Sequence, residues 1–152
     1  MSIAARLKEL GITLPRAAAP VASYVPVVVH GGMAYVSGQI AFHDGHVIKG
    51  RLGENVTLED GIAAARACGL MILAQLESAG LLEQVERVVK LGAFVNSTPD
   101  FTDHPKVANG ASDLMEQVFS GAGQHARAAV GVAALPLGAA VEVDAIVALK
   151  SA

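Results

Sequence analysis

Apolar residues recur at helical spacing at Ile3, Leu7 and Leu10, and Gly11 follows them, which predicts a short amphipathic helix over residues 2 to 10. After the Pro- and Ala-rich connection PRAAAPVAS (15–23), the stretch YVPVVVHGGMAYVSGQI (24–40) is apolar in two runs separated by Gly31-Gly32, the pattern of a β-hairpin. Pro26 restricts the first run to an edge or a strand end. Asp44-Gly45 marks a second tight turn. Thr57, three residues before Asp60, resembles a capping box and opens a helical pattern that runs to Gly80. RVVKLGAFVNS (87–97) reads as a strand, and the polar loop TPDFTDHP (98–105), closed by Pro105, leads to a second long helix from about Lys106 to Phe119. Gly121 and Gly123 end it. Residues 126 to 132 and 141 to 149 read as the last two strands, joined across ALPLGAA (134–140), where Pro136 and Gly138 supply the turn. Alternation puts Val141, Val143, Ala145, Val147 and Leu149 on one face and Glu142 and Asp144 on the other. The order ββ, α, β, α, ββ predicts one α+β domain over residues 1–152, with two main helices on one face of a mixed sheet and a short N-terminal helix beside them.

Composition sharpens this picture in three ways. A chain of 152 residues is long enough to bury a core and short for two domains. With 53% hydrophobic residues, 16% charged residues and a mean hydropathy of +0.48, little polar material is left to cover an isolated surface, so a homo-oligomer is expected. The net charge of −3 and the absence of any Lys/Arg run argue against a nucleic-acid partner. A single cysteine, Cys68, rules out an internal disulfide framework and fits a reducing compartment. Arg6, Lys8 and Glu9 interrupt the N-terminal apolar residues, and no later run is long enough for a membrane span, so a cytoplasmic location is expected.

Candidate chemistry centres on Arg127, which stands at the head of a strand of small and apolar residues. A guanidinium keeps its charge and needs a planar anion, which a carboxylate supplies bidentately. Two readings are open: a bound carboxylate, or an internal pair with Glu142 or Asp144 on the neighbouring strand. Glu142 is either that partner, a solvated residue, or an acid/base group whose half-buried position raises its pKa. His125 shares the face of Arg127 if the strand extends that far. The histidines have no metal-ligand spacing, SGQI (37–40) lacks the glycines of a phosphate loop, and no GxSxG elbow is present, so no metal or nucleotide site is expected. Cys68, in mid-helix among apolar residues, reads as core.

Several segments, in order, resemble the RidA (YjgF/YER057c/UK114) family of enamine/imine deaminases: SYVPVV with Tyr24, SGQI, VVKLGAFVNSTPDF (88–101), Asn109 in the second long helix, and ARAAVGVAALPLGAAVEVDAIV (126–147) with its Arg, Leu-Pro and Val-Glu-Val. The resemblance implies a chorismate-mutase-like fold and a homotrimer with three clefts between subunits. In those clefts Arg127 would bind the carboxylate of a small 2-imino or 2-oxo acid, without a cofactor. It also implies that Tyr24 closes the cleft, Ser37 and Gly38 form its wall, Asn109 supports it, and Glu142 sits near the attacking water. Ala128 and Ala129 follow Arg127 where archetypal members carry a hydroxyl and a thiol. Hydrolysis of reactive 2-imino or enamino acids to 2-oxo acids and ammonia is therefore one expected activity, and carboxylate binding without turnover is its alternative. An endoribonuclease activity is less favoured, because the chain is acidic and lacks interleaved basic and aromatic residues.

Overall fold

A computed structural model describes residues 1–20 and 22–151; Val21, in the Pro- and Ala-rich connection, and Ala152 lie outside the described residues. Helix α1 (Ile3–Glu9) is capped by Ser2, whose Oγ accepts from the Ala5 N–H at 3.0 Å. The Glu83 carboxylate accepts from the amides of Ile3 and Ala4 at 2.7 and 2.9 Å, so one side chain both satisfies the helix start and docks α1 on the body. Strands β1 (Val27–His30) and β2 (Met33–Ile40) form the expected hairpin, with Gly31 and Gly32 both at positive φ as a tight two-residue turn requires. Strand β1 begins immediately after Pro26 and lies at the sheet edge. Strands β3 (Phe42–His43) and β4 (His46–Val47) make a small separate ribbon around Asp44-Gly45.

Helix α2 (Leu58–Ser78) starts at Thr57, whose Oγ1 accepts from the Asp60 N–H at 3.1 Å. Strand β5 (Val85–Asn96) precedes α3 (His104–Phe119), which begins two residues before the expected Lys106. Pro105 therefore sits in its first turn, where a missing N–H costs no helical bond, instead of closing the loop. Strands β6 (Ala126–Val132) and β7 (Val141–Leu149) complete a five-stranded sheet of order β1-β2-β7-β5-β6, in which only the β5–β6 pair is parallel.

This order corrects one expectation. The last two strands are consecutive in sequence but not neighbours, because β5 lies between them. Strand β5 is rich in branched residues and has ladder partners on both sides, β6 and β7. Residues 133–140 therefore form a connection and not a hairpin turn. Its Ala139 and Ala140 are tied instead to the segment after β4, Ala140 N–H donating to Ile48 O at 2.9 Å.

Helices α2 and α3 pack on one face of the sheet, where Val141, Val143, Ala145 and Val147 are buried, with Leu91, Val95, Ile72, Leu76, Leu114 and Met115 among the largest core side chains. The two helices approach backbone to backbone at Gly110, where a Cβ would run into the Ile62 carbonyl. On the other face, Val28, Tyr35 and Val130 are close to half exposed. No described helix is long and apolar enough to cross a membrane.

Candidate active site

The expected site residues fall into two groups. Tyr24, Ser37, Gly38 and Glu142 line one pocket of about 510 Å³. A register shift in the β2–β7 ladder between Val36 and Gln39 opens its wall. Ser37 is fixed by donating its hydroxyl to Val25 O at 2.8 Å and its N–H to Pro26 O at 2.9 Å. Glu142 lies flat across Gly38, since a Cβ there would come within 2.8 Å of Glu142 Oε2. A side chain there would displace the carboxylate from this position. Burial, and then the negative charge of Asp144, push the Glu142 carboxyl above the ordinary carboxylate range. Asp144 is raised as well, chiefly by burial, with partial relief from the Gly92 backbone N–H and from Lys90.

Two buried glutamines that also line this pocket, Gln39 and Gln75, escaped the sequence reading. Gln75 Nε2 donates to Ala18 O at 2.7 Å and to Gln39 Oε1 at 3.2 Å, while Gln39 Nε2 donates to Ser37 O at 2.9 Å. This amide chain ties the N-terminal connection and the Ser37 strand to α2. The available signal was a lone polar residue between Ala74 and Leu76 in an otherwise buried helical run.

The second group surrounds Arg127, on the helix-facing side of β6. Its Nη1 donates to Asn109 Oδ1 at 2.9 Å and to Ser112 Oγ at 3.0 Å, and its Nη2 to Pro105 O at 3.3 Å. Asn109 and Ser112 stand three residues apart on one face of α3, spacing that identifies Ser112 once Asn109 is in hand. Ser112 Oγ is also 2.8 Å from His125 Nε2, and His125 Nδ1 is 2.6 Å from Gly123 O. A carbonyl can only accept, so Nδ1 carries the proton, and in the tautomer that leaves Nε2 bare the Ser112 hydroxyl donates to it. The hydroxyl oxygen then faces Arg127 as a pure acceptor. His125 thus lies just before the strand and acts on Arg127 through Ser112, instead of lining a common face with it.

An internal pair between Arg127 and Glu142 or Asp144 is overturned. Arg127 and Ala145 are both ladder partners of Leu91, so Arg127 points to the buried helix side, whereas Glu142 and Asp144 alternate to the opposite face. Each Arg127 hydrogen bond goes to a neutral acceptor, one of them part-buried and two exposed, and no described carboxylate lies within 4.0 Å of the guanidinium. Its charge therefore remains available to an external anion.

Cys68 is fully buried and donates to Val141 O at 3.4 Å, and burial drives its thiol pKa up, the state of an inert core cysteine. Among the described residues no group of three or more His, Cys, Asp or Glu side chains is placed to hold a metal ion.

A family model described as "YjgF/chorismate_mutase-like, putative endoribonuclease" matches residues 4–149. The chain belongs to this RidA/YjgF family. Protein TCP17 of Trypanosoma cruzi is 54% identical to it over 98% of this chain and 95% of its own length. A 2-iminobutanoate/2-iminopropanoate deaminase of Dermatophagoides farinae is 32% identical over 91% of this chain and 95% of its own. Among solved structures, protein Atu1372 of Agrobacterium tumefaciens superposes with a TM-score of 0.88 at 44% identity, covering 99% of this chain and 94% of that one. The mixed sheet with two main helices and a short N-terminal helix is the chorismate-mutase-like fold of the RidA/YjgF family.

Proposed function

We propose that this protein hydrolyses small, reactive 2-imino acids to 2-oxo acids and ammonia in clefts between the subunits of a homotrimer. The observation that carries this reading is the uncompensated guanidinium of Arg127, held in place by Asn109, Ser112 and Pro105 O while its charge is left for a ligand. A planar carboxylate suits it. The 32% identity to a 2-iminobutanoate/2-iminopropanoate deaminase supplies the chemical class.

In this mechanism Arg127 fixes the substrate carboxylate and water adds to the electrophilic imine carbon. With the imine nitrogen protonated, Glu142 accepts a proton from that water as the carbinolamine forms and returns it to the amine, which leaves as ammonia while the carbinolamine hydroxyl releases its proton to solvent and becomes the carbonyl of the 2-oxo acid. Its raised pKa brings a carboxylate nearer to the range where both steps proceed. Tyr24, Ser37 and Gly38 line the same pocket as Glu142 and would enclose the substrate. Since Arg127 and Glu142 point to opposite faces of one sheet, the two would act on one substrate only when Arg127 comes from one subunit and the Glu142 pocket from the next. The apolar residues exposed on the open face favour such an assembly.

Turnover of 2-iminopropionate, generated in situ by an amino-acid oxidase, tests the proposal. Arg127→Ala should abolish both hydrolysis and 2-oxo acid binding while the fold persists. Arg127→Lys should rescue poorly, because an ammonium lacks the planar two-point contact. Full hydrolysis by the Ala variant would refute the mechanism. Ala128 and Ala129 next to Arg127 favour one second reading, a carboxylate-binding module without turnover, which predicts Arg127-dependent binding but no ammonia release.

A further inference from the structure

A second arginine, Arg51, is held beside this site by a loop of its own. The amides of Glu54, Asn55 and Val56 all donate to the Arg51 carbonyl, and the Arg51 N–H donates to Asn55 Oδ1 at 2.7 Å. Leu52 N–H donates to Asn96 O at 2.8 Å and Thr98 N–H to Leu52 O at 3.0 Å, which ties the loop to the end of β5. Gly53, at φ +87°, lets Thr98 Oγ1 pack against its Cα, a place with no room for a side chain. The Arg51 guanidinium makes one hydrogen bond, from Nη2 to Ser97 O at 3.0 Å, and its Nε is buried without a partner. No described carboxylate lies within 4.0 Å of it.

Arg51 lines a pocket of about 450 Å³ with Ser97, Thr98, Phe101, His104 and Gly131, and no acidic residue lines it. His104 is oriented by Ser97 Oγ at 3.1 Å from its Nε2 and by an edge contact with Phe101, ring centroids 5.3 Å apart. Gly131 keeps the floor open, since a Cβ there would stand 2.5 Å from His104 Nε2 and 2.6 Å from Ser97 Oγ. Arg127 does not line this pocket but stands four residues, about 13 Å of strand, before Gly131 on β6. Alternation puts Arg127, Ala129 and Gly131 on one face of β6, and Pro105, whose carbonyl accepts from Arg127 Nη2, directly follows His104.

We propose that the Arg51 pocket is a second anion subsite of the Arg127 cleft, so that the preferred ligand is a 2-imino or 2-oxo dicarboxylic acid with one carboxylate on each arginine. This rests on the reading of Arg127 as a carboxylate binder. One permanent cation with neutral hydroxyl donors balances one negative charge, which fits a carboxylate and not the nearly doubled charge of a phosphate. Ala129, between the two on β6, carries only a methyl group, partly buried against the core.

Calorimetric titration of the full chain with 2-oxobutanoate, carrying one carboxylate, and 2-oxoglutarate, carrying two, tests it. The wild type should bind 2-oxoglutarate about tenfold tighter, the contribution of one charge-assisted contact. Arg51→Met should erase that preference and leave 2-oxobutanoate affinity within about twofold. Gly131→Ala, which closes the floor without touching Arg51, should erase it too and serves if the Arg51 variant does not fold. Arg127→Ala should lose both ligands. Equal binding of the two acids by the wild type, or a preference that survives both Arg51→Met and Gly131→Ala, overturns the proposal while leaving the Arg127 reading intact. Failure of the wild type to bind either acid sinks the Arg127 reading itself, and the subsite with it.

Discussion

Mixing two inactive variants puts the proposed cleft to a quantitative test. Arg127 sits on β6 and Glu142 on β7 with β5 between them, and Glu142 stands three residues along β7 from Ala145, which is level with Arg127, so their backbones are roughly 14 Å apart before the side chains diverge to opposite faces. Proton transfer to a carboxylate-bound substrate needs contacts of about 3 Å, which these two groups of one chain cannot both make. If the cleft pairs Arg127 of one subunit with Glu142 of the next, Arg127→Ala and Glu142→Gln chains should complement each other. In an equimolar mixture unfolded and reassembled together, half of the clefts draw an intact arginine, and half of those also draw an intact glutamate. About one quarter of wild-type imine hydrolysis should therefore return, from parents that are each inactive. The assay is ammonia release from 2-iminopropionate, with light scattering to verify that the mixed assembly matches the wild-type mass. A mixture no more active than its parents, at the correct mass, refutes the inter-subunit cleft.

Two further outcomes follow from particular contacts. Ser112→Ala removes one of the two acceptors of Arg127 Nη1 and the donor to His125 Nε2, so 2-oxo acid affinity measured by calorimetry should fall about two- to twelvefold, for the roughly 0.5–1.5 kcal/mol of one hydrogen bond; Ser112→Thr, which keeps the hydroxyl, should restore it, and an unchanged Ala variant removes Ser112 from any positioning role. Because the Glu142 pKa is raised on folding, the native state holds its proton more tightly than the unfolded chain, and the stability this provides below the ordinary carboxylate range is lost as pH rises through the folded pKa. Glu142→Gln should accordingly raise the melting temperature near about pH 8 and leave it close to wild type in acid, whereas a variant less stable than wild type near about pH 8 contradicts the assigned shift.

Much of this architecture was legible in the chain because its signals are local. The Gly31-Gly32 and Asp44-Gly45 turns, the Thr57 cap and the alternation of Val141, Val143, Ala145 and Val147 each depend on a few adjacent residues and on the backbone geometry those residues permit. The resemblance of ordered segments, Arg127 and Glu142 included, pointed to the family. Strand order was not legible, since the position of β5 between β6 and β7 depends on which ladder buries most apolar surface, a property of the assembled sheet. That order decides the chemistry. It places Arg127 and Glu142 on opposite faces, removes the internal ion pair that adjacency in sequence suggested, and leaves the guanidinium charge open to a ligand. Ser112 and Arg51, and the route through Ser112 by which His125 reaches Arg127, were equally out of reach, because they arise from contacts across 13 to 46 residues of chain that only the folded packing of α3, β6 and the Arg51 loop brings together.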